Sequence, residues 1–415
     1  MLAVIPIIIE QHAEEAAFNW LLRDRAVGEP NYDLADLAHL DGRVEANLDG
    51  LRIAGDEGWK ICQEAMAIGE PGEIFTAGAL AFAGLVPERM DALLAAVEED
   101  RGRQRALASV FGWIDFETIA AAARRLLNAD LDFLKYIGLA AHAVNRRDPG
   151  ALLAPLMEAP DGRVRARALK AAGELGRLDL MPVLKDHLRD EDEKCRFHAA
   201  WSAMLLGGTS AIESLTALAL APGQFAQRAC HLVVRKMASG QAVQWLQQLG
   251  QHAESAPMAV SGCGALGDPA LVPWLLELMR IPESARKAGE ALAMITGVDI
   301  AYEDLEGEPP EGFESGPSEN PEDEDVALDP DEDLPWPEPE LIKAWWAKNG
   351  KNFKSGTRYL CGKPISPEHC REVLKNGYQR QRAAAALELV LMAPGQPLFE
   401  VRAPGFRQQR QLANA

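Results

Sequence analysis

The sequence has few aromatic residues and no long apolar run. Phe, Trp and Tyr make up 6% of the 415 residues, whereas the apolar residue types together make up 48%. A core built mainly on alanine and leucine favours helices over sheets. The apolar run at positions 2–9 has no basic residue before it and ends at Glu10. A secretory signal needs a basic start and a membrane helix needs about 20 apolar residues, so we expect a cytoplasmic protein without a membrane partner.

Paired cysteines are also missing. The six cysteines are scattered and form no CxxC motif. A chain of this length buries a core without disulfides, so reduced thiols are the simplest interpretation. Cys361, His369 and Cys370 are the one cluster of zinc-ligand residue types, but no second ligand pair lies near them. We therefore predict no metal and no other cofactor.

Catalytic signatures are absent from the sequence. It contains no GxSxG, HExxH or Walker motif, and no GxGxxG after a predicted strand. Cys230 and His231 are adjacent on a predicted helix and so point about 100° apart, which rules out a local thiolate–imidazole pair. His198 follows Arg196 on a predicted repeat helix, where a solvated or capping role is favoured. The sequence predicts a protein that is not an enzyme.

Positive charge is scarce, with 42 Lys and Arg against 62 Asp and Glu, for a net charge of −20. Residues 303–340 hold 17 acidic residues, 8 prolines and no Lys or Arg, whereas residues 341–415 hold 13 basic and 4 acidic residues. The remainder, residues 1–302, therefore carries −12. A negative body repels phosphate backbones, so nucleic acid is not an expected partner.

A period of 31 residues is the strongest internal signal. The first copy carries the pattern D-x-x-V-R-x-x-A, followed by L-G. The matched positions are Asp161/Asp192, Val164/Cys195, Arg165/Arg196, Ala168/Ala199 and Gly176/Gly207. Leu153, Leu184, Leu215 and Leu246 follow the same spacing. A period of this length with two helical stretches per copy predicts an all-α fold, an α-solenoid of helix pairs.

One copy of the repeat shows how the helices are punctuated. Asp161 is placed to cap the N-terminus of a helix, and Gly176 is placed to end it in a left-handed conformation. Asp179 begins a second helix, with Pro182 in the first turn, where its missing N–H does no harm.

This pattern resembles the HEAT-repeat family, most closely over residues 161–207. The resemblance implies that Asp and Arg of adjacent copies form a ladder inside the stack. The residues at those positions are Asp161, Arg165, Asp192 and Arg196. Apart from this ladder, the arginines at 163, 167, 380, 382 and 402–410 fit a structural or solvated role better than an acidic-ligand site.

The composition divides the chain into four parts. We expect a helical N-terminal cap at 1–60, a repeat array at 61–302, an acidic Pro-rich strap or linker at 303–340 and a basic helical C-terminal cap at 341–415. Apolar residues are predicted to pin the strap to the array, with a mobile tip at 315–325. These residues are Phe313, Leu328, Leu334 and Trp336.

The C-terminal part holds the candidate partner contacts. Trp345 and Trp346 are adjacent on a predicted helix, so both cannot face inward. One is predicted to pack on the last repeat, and the other is a candidate binding anchor. The remaining candidate contacts are Arg358, Arg380 and Arg382.

A second resemblance covers nearly the whole chain. HAEEAAFNW, PEGFESGP, F-x-x-G-T-R-Y-L-C-G-K-P and GYQRQRAAAALEL resemble a proteobacterial family of HEAT-repeat proteins encoded beside type VI secretion genes. The resemblance supplies a secretion context, and the predicted solenoid favours a protein-binding scaffold. Together they predict an adaptor or chaperone for a secreted effector, toxin or tip component. An immunity protein that neutralises a toxin is the first alternative. A HEAT-repeat enzyme, such as a bilin lyase or DNA glycosylase, is the second.

Overall fold

The protein is described by a computed structural model that covers residues 5–313, 329 and 331–413. These residues form 22 α-helices, five short 3-10 helices and one two-stranded hairpin. They divide into two compact units, described separately below. The first contains residues 5–206, 375–379 and 393–413, and the second contains the other described residues. The predicted all-α solenoid is confirmed.

The first unit contains thirteen of the described α-helices and three 3-10 helices. The α-helices are α1 (Pro6–Ala26), α2 (Leu34–Ala54), α3 (Asp56–Ala65), α4 (Pro71–Gly84), α5 (Pro87–Val97), α6 (Arg101–Trp113), α7 (Phe116–Leu127), α8 (Asp132–Val144), α9 (Leu153–Met157), α10 (Gly162–Glu174), α11 (Met181–Asp186), α12 (Glu193–Leu205) and α22 (Gly405–Ala413). The 3-10 helices are Gly150–Leu152, Leu178–Leu180 and His187–Arg189.

The stack of the first unit is built on alternate helices. Helices α4, α6, α8, α10 and α12 pack on one another in succession, and α1 and α2 pack beside α4. Aromatic rings fill the core at the N-terminal end, where Trp20 stacks on Phe75 at 4.8 Å and Phe82 meets Phe111 edge-on at 4.7 Å. Alanines in the stacked helices let the backbones approach closely, which explains why so few aromatic residues are enough.

Helix α10 shows how the sequence sets each repeat. The Asp161 carboxylate caps the helix by accepting from the backbone N–H groups of Arg163 (2.8 Å) and Val164 (3.0 Å), as predicted. Gly176 follows the helix with φ of +72°, which is the predicted left-handed conformation. A Cβ at Gly176 would lie 2.4 Å from the carbonyl oxygen of Gly395, so close packing also requires glycine there.

The second unit contains nine of the described α-helices, two 3-10 helices and the hairpin. The α-helices are α13 (Ala211–Leu220), α14 (Ala226–Lys236), α15 (Ser239–Leu249), α16 (Ala256–Leu266), α17 (Val272–Leu278), α18 (Pro282–Thr296), α19 (Pro339–Asn349), α20 (Pro367–Asn376) and α21 (Gln379–Met392). The 3-10 helices are Pro269–Leu271 and Gly350–Asn352, and the strands are β1 (Tyr359–Leu360) and β2 (Lys363–Pro364). The ends of α20 and α21 nearest to each other, residues 375–379, are grouped with the first unit.

The hairpin in the second unit attaches to the ends of two stacked helices. Helices α14, α16 and α18 pack in succession. The backbone N–H of Tyr359 donates to the carbonyl oxygen of Gly267 (2.8 Å), just after α16. The N–H of Cys361 donates to the carbonyl oxygen of Met294 in α18 (2.7 Å). These bonds satisfy carbonyl groups that a helix end leaves without an internal partner.

Both ends of the acidic segment are ordered against α18. The backbone N–H of Gly307 donates to the carbonyl oxygen of Trp336 (2.9 Å), and the rings of Phe313 and Trp336 meet edge-on at 4.9 Å. The Arg286 guanidinium lies over both rings, at 5.7 Å and 4.8 Å from their centroids, and pairs with Asp329. Leu334 is buried, whereas Leu328 and the predicted tip at 315–325 lie outside the described residues.

None of the helices in the described part of the chain combines the length and the apolar character needed to cross a membrane.

The four-part division of the sequence stays a prediction. Residues 341–415 do not cluster as one body, because the described part of this range is shared between the two units.

Candidate binding surfaces

One face of α10 carries charged side chains at helical spacing. Arg163, Arg167, Lys170 and Glu174 lie three or four positions apart and line a common cavity of about 350 Å³ in the first unit. The lining includes eight Lys or Arg and three Asp or Glu, a formal charge of +5 in a chain of −20. We call this cavity the basic groove. Its cations are Arg23, Arg105, Arg163, Arg167, Lys170, Lys194, Arg402 and Arg407.

The repeat period explains why these side chains converge. Arg105 in α6, Tyr136 in α8, Arg167 in α10 and His198 in α12 are each 31 residues apart, and all four line the basic groove. Because α6, α8, α10 and α12 stack in succession, one repeat position becomes a row of side chains across the stack. Small side chains on α6 and α8 leave the floor of the groove open between them. They are Ala108, Ser109, Gly112 and Ala140.

Carboxylates in the groove are shared between cations. Asp24 accepts from Arg105 at 2.7 Å and contacts Arg402 at 3.4 Å. Glu174 contacts Arg167 at 2.8 Å and Lys170 at 3.3 Å. Burial would raise the pKa of Glu174, but the attraction of Arg167, Lys170 and nearby Arg146 outweighs it and holds this pKa well below its usual range.

The C-terminal segment, residues 393–413, closes one side of the groove. Arg23 in α1 pairs with the buried Asp41 (2.8 Å) and donates to the carbonyl oxygens of Arg402 (2.8 Å) and Ala403 (2.7 Å). Arg407 donates to the carbonyl oxygens of Gly112 and Val144 and to the side chain of Asn145, also within the first unit. Burial lowers the pKa of Arg407 to about 10, so it stays charged at neutral pH.

A second, more open cavity of about 920 Å³ lies in the same unit. It shares Trp113 and Arg407 with the basic groove, and its other cations include Arg146 and Arg147. Arg146 pairs with Glu400 at 3.0 Å, which fixes another contact of the C-terminal segment. The two cavities therefore flank the same pair of side chains.

The four residues predicted to form a ladder act mainly at helix N-termini. Asp192 caps α12 by accepting from the Cys195 N–H (3.0 Å), just as Asp161 caps α10. Arg165 pairs with Asp190 (2.9 Å), and Arg196 donates to the carbonyl oxygen of Asp190 (2.6 Å). Both arginines therefore engage Asp190, a residue that the sequence pattern does not single out.

Asp190 is the centre of this network. Its carboxylate accepts from Arg165, from the Asp192 N–H (3.0 Å) and from His187 (2.9 Å). Burial opposes its ionisation, but these hydrogen bonds outweigh burial and lower the pKa of Asp190 to about 2. The connection between successive repeats is thus held by a carboxylate that stays charged at neutral pH.

The two adjacent tryptophans of α19 are both half-buried. The Trp345 indole N–H donates to Glu303 (2.8 Å), and the Trp346 ring packs on Phe353 at 5.5 Å. Each ring therefore has a contact within the second unit. That Trp345 or Trp346 anchors a partner stays a prediction.

Arg358 takes part in a buried charge cluster of the second unit. Glu388 lies between Arg235 (3.1 Å) and Arg358, and the side chains of Arg235 and Glu388 are each only 4% exposed. Arg358 also donates to the carbonyl oxygen of Leu266 (2.8 Å) at the end of α16. Burial and the neighbouring Arg358 lower the pKa of Arg235, and Glu388 opposes this shift.

The other two candidate arginines differ from each other. Arg380 is half-buried and pairs with Glu290 at 2.9 Å. Arg382 is 0% exposed, and its Nε donates to the carbonyl oxygen of Leu374 (2.8 Å). A completely buried side chain offers no surface for a partner, so Arg382 is not a candidate partner contact.

The zinc-type cluster has the geometry of a packed loop. His369 Nε2 lies 2.6 Å from the carbonyl oxygen of Leu360. Burial raises the pKa of Cys361 to about 12 and that of Cys370 to about 11, so both thiols stay protonated. Across residues 5–313, 329 and 331–413, no three His, Cys, Asp or Glu side chains are grouped to hold a metal ion.

The repeats can now be compared with known proteins. Residues 150–235 match the family model described as HEAT repeats. Over these residues the chain is therefore similar to HEAT repeats. No curated protein matches it. Among solved structures it is similar to a crystal structure of an engineered protein from the Northeast Structural Genomics Consortium, with 15% identity, 68% of this chain and 93% of the other covered, and a TM-score of 0.32. That score is too low to support any further conclusion.

HEAT repeats favour a protein-interaction scaffold, because each copy adds one helix pair to a continuous surface. The sequence pattern does not predict the basic groove, because it favours a structural or solvated role for Arg163, Arg167, Arg402 and Arg407 and does not single out Arg23 or Arg105. The available signal was the 31-residue spacing of positions 105, 136, 167 and 198. Positions 167 and 198 fall on an unspecified position of the D-x-x-V-R-x-x-A pattern, and the four positions mix cationic and aromatic residues.

Proposed function

We propose that this protein is a non-catalytic interaction scaffold that acts as an adaptor or chaperone for a type VI secretion effector or tip component. The observation that carries the scaffold role is the row of equivalent repeat positions that lines the basic groove. A row of this kind supplies many modest contacts along one surface, which suits the binding of a protein segment. The secretion context rests on the resemblance of the motifs at 12–20, 310–317, 353–364 and 377–389.

The chemistry of the described cysteines supports a binding role over a catalytic one. A nucleophilic cysteine needs a lowered thiol pKa. Burial instead raises the pKa of Cys62, Cys195 and Cys230 to about 12. Most cations of the groove are held by carboxylates or backbone carbonyls that also fix the fold.

Affinity capture in the native host tests the proposal. The full-length tagged protein is recovered from cells with an active secretion system, and its partners are identified by mass spectrometry. We expect one type VI effector or tip component to be enriched, and we expect deletion of the protein to stop export of that component. We expect the purified complex to retain the effector's activity. Capture without any type VI component overturns the proposal.

The immunity alternative gives a different result in the same experiment. An immunity protein blocks the toxin at about equal molar amounts, and its deletion kills the producing cell without affecting export. Inhibition of the captured toxin therefore replaces the adaptor role by an immunity role.

A further inference from the structure

We propose that the basic groove binds an acidic, extended protein segment of the partner. This inference rests on the proposed scaffold function and adds the chemistry of the partner. The occupant is a stretch rich in Asp and Glu with interspersed apolar residues.

The charge of the groove is opposite to that of the molecule. The lining residues carry +5, whereas the whole chain carries −20. The rest of the chain carries a net negative charge and so disfavours acidic segments, whereas the cations of the groove attract them. Electrostatic complementarity of this kind selects a partner and speeds its encounter more than it adds affinity.

The cations of the groove outnumber their carboxylate partners. Asp24 is shared by Arg105 and Arg402, and Glu174 is shared by Arg167 and Lys170. Each of these carboxylates carries one negative charge against two positive charges, so the groove keeps a net positive charge that attracts the carboxylates of a ligand.

Lys194 is the cation with the fewest internal constraints. It is exposed, and it forms no ion pair with any residue of the described chain. Arg163, which is 31 residues earlier, occupies the same second position of its helix and pairs with Asp161 at 3.5 Å. Lys194 and Arg163 thus place two equivalent cations along the stacked repeats.

Apolar side chains line the groove beside the cations. Tyr136, Ala108 and Val144 are half-buried and offer apolar surface to a ligand, whereas Trp20 and Trp113 are 1% and 6% exposed and belong to the core. An accessible aromatic ring binds the apolar side chains of a peptide. This surface beside the cations favours a peptide over a free inorganic anion, which has no apolar surface to bury.

The carboxylates in the groove argue against nucleic acid as the ligand. The groove is about 350 Å³ and contains three carboxylates, Asp24, Glu174 and Glu400. A continuous phosphate backbone meets these carboxylates and then the negative surface beyond the groove, and each such contact is repulsive. A peptide avoids the repulsion by placing apolar residues opposite the carboxylates.

The test measures binding of a fluorescein-labelled oligoglutamate peptide with interspersed leucines to the full-length protein, by fluorescence anisotropy at low salt. Lys194→Glu is the informative variant. Glu at the second position of α12 suits the positive end of the helix, so folding is retained. We expect the peptide to bind roughly tenfold more weakly, because a repulsive contact replaces an attractive one.

The matched control is Lys60→Glu, which makes the same charge change at an exposed lysine of α3 that does not line the groove. We expect Lys60→Glu to bind like the wild type, and Arg163→Glu to weaken binding like Lys194→Glu. Rising salt concentration weakens binding to the wild type. Equal loss in Lys60→Glu and Lys194→Glu overturns the site, as does tighter binding of a single-stranded oligonucleotide than of the peptide.

Capture with the same variants separates this inference from the proposed function. If Lys194→Glu still captures the type VI component at wild-type yield, the groove is not the binding site but the scaffold role stands. If the wild type captures no such component, the adaptor role fails, whatever the peptide result. Loss of capture in Lys194→Glu with retention in Lys60→Glu supports both.

Discussion

Replacing Glu388 by glutamine tests how much the buried charge cluster of the second unit stabilises the fold. Glu388→Gln keeps the size of the side chain and one acceptor oxygen, but it removes the negative charge between Arg235 and Arg358. Arg235 keeps its hydrogen bond to the carbonyl oxygen of His231 (2.6 Å), and Arg358 keeps its bond to that of Leu266 (2.8 Å). Two neighbouring guanidinium groups are then left without a counter-charge.

The magnitude follows from burial. The side chains of Arg235 and Glu388 are each 4% exposed, and that of Arg358 is 21% exposed. Removing one partner of a buried ion pair costs about 3–5 kcal/mol, because the remaining charge stays buried and unpaired. Since the glutamine keeps an acceptor, we expect the lower end, about 3 kcal/mol, which is roughly a hundredfold in the folded-to-unfolded ratio.

Urea unfolding measures the change, and hydrogen exchange of peptides from α14 and α16 assigns it to the second unit. The control is Glu277→Gln, which removes the same charge from an exposed pair with Arg280 (3.9 Å, with Glu277 77% exposed). An exposed pair contributes about 0–1 kcal/mol. A loss in Glu388→Gln no greater than in Glu277→Gln refutes the reasoning and shows that water or relaxation compensates the two arginines.

Two further predictions concern the first unit. Gly138→Ala should lower the free energy of unfolding by about 1–3 kcal/mol, since its Cβ would lie 2.4 Å from the backbone nitrogen of Leu127. Gly42→Ala, in the open middle of α2, should raise the free energy of unfolding by about 0.5–1 kcal/mol. Urea unfolding measures both variants, and an equal change in the two contradicts the close packing at Gly138. Folding lowers the pKa of Glu174 and Asp190, so their contribution is present above the unfolded-state pKa of about 4 and is lost as pH falls below it. Glu174→Gln should flatten the fall in stability between about pH 5 and pH 3, and an unchanged slope counts against the pairing.

Local features of the repeats could be predicted because they depend on near neighbours in sequence. Capping needs an acceptor two or three residues before a backbone N–H, so Asp161 and Asp192 identify helix starts by themselves. Gly176 and Gly207 mark chain reversals because glycine adopts positive φ without steric cost. The partner of Arg165 could not be predicted in this way. Asp190 lies outside the pattern. Whether Arg165 pairs with Asp190 or with Asp192 depends on how the turn before α12 packs against α10.

The charged sites required the tertiary structure because their members are distant in sequence. The basic groove joins Arg23, Arg167 and Arg407, which no local pattern brings together. The pairing of Arg358 and Arg235 with Glu388 likewise depends on how α21, which carries Glu388, packs beside α14.

The sequence by itself determined the caps of α10 and α12, the glycines that follow these helices and the 31-residue period, since these follow from short-range sterics and hydrogen bonding. It did not determine every helix start, because Asp179 lies in a 3-10 helix and α11 begins at Met181. Only the tertiary structure decided which charges are buried. Arg380 and Arg382 are two residues apart on one helix, yet Arg380 is half-buried and Arg382 is completely buried. Their spacing fixes their different directions on the helix, but which direction faces the interior is set by the packing of distant segments.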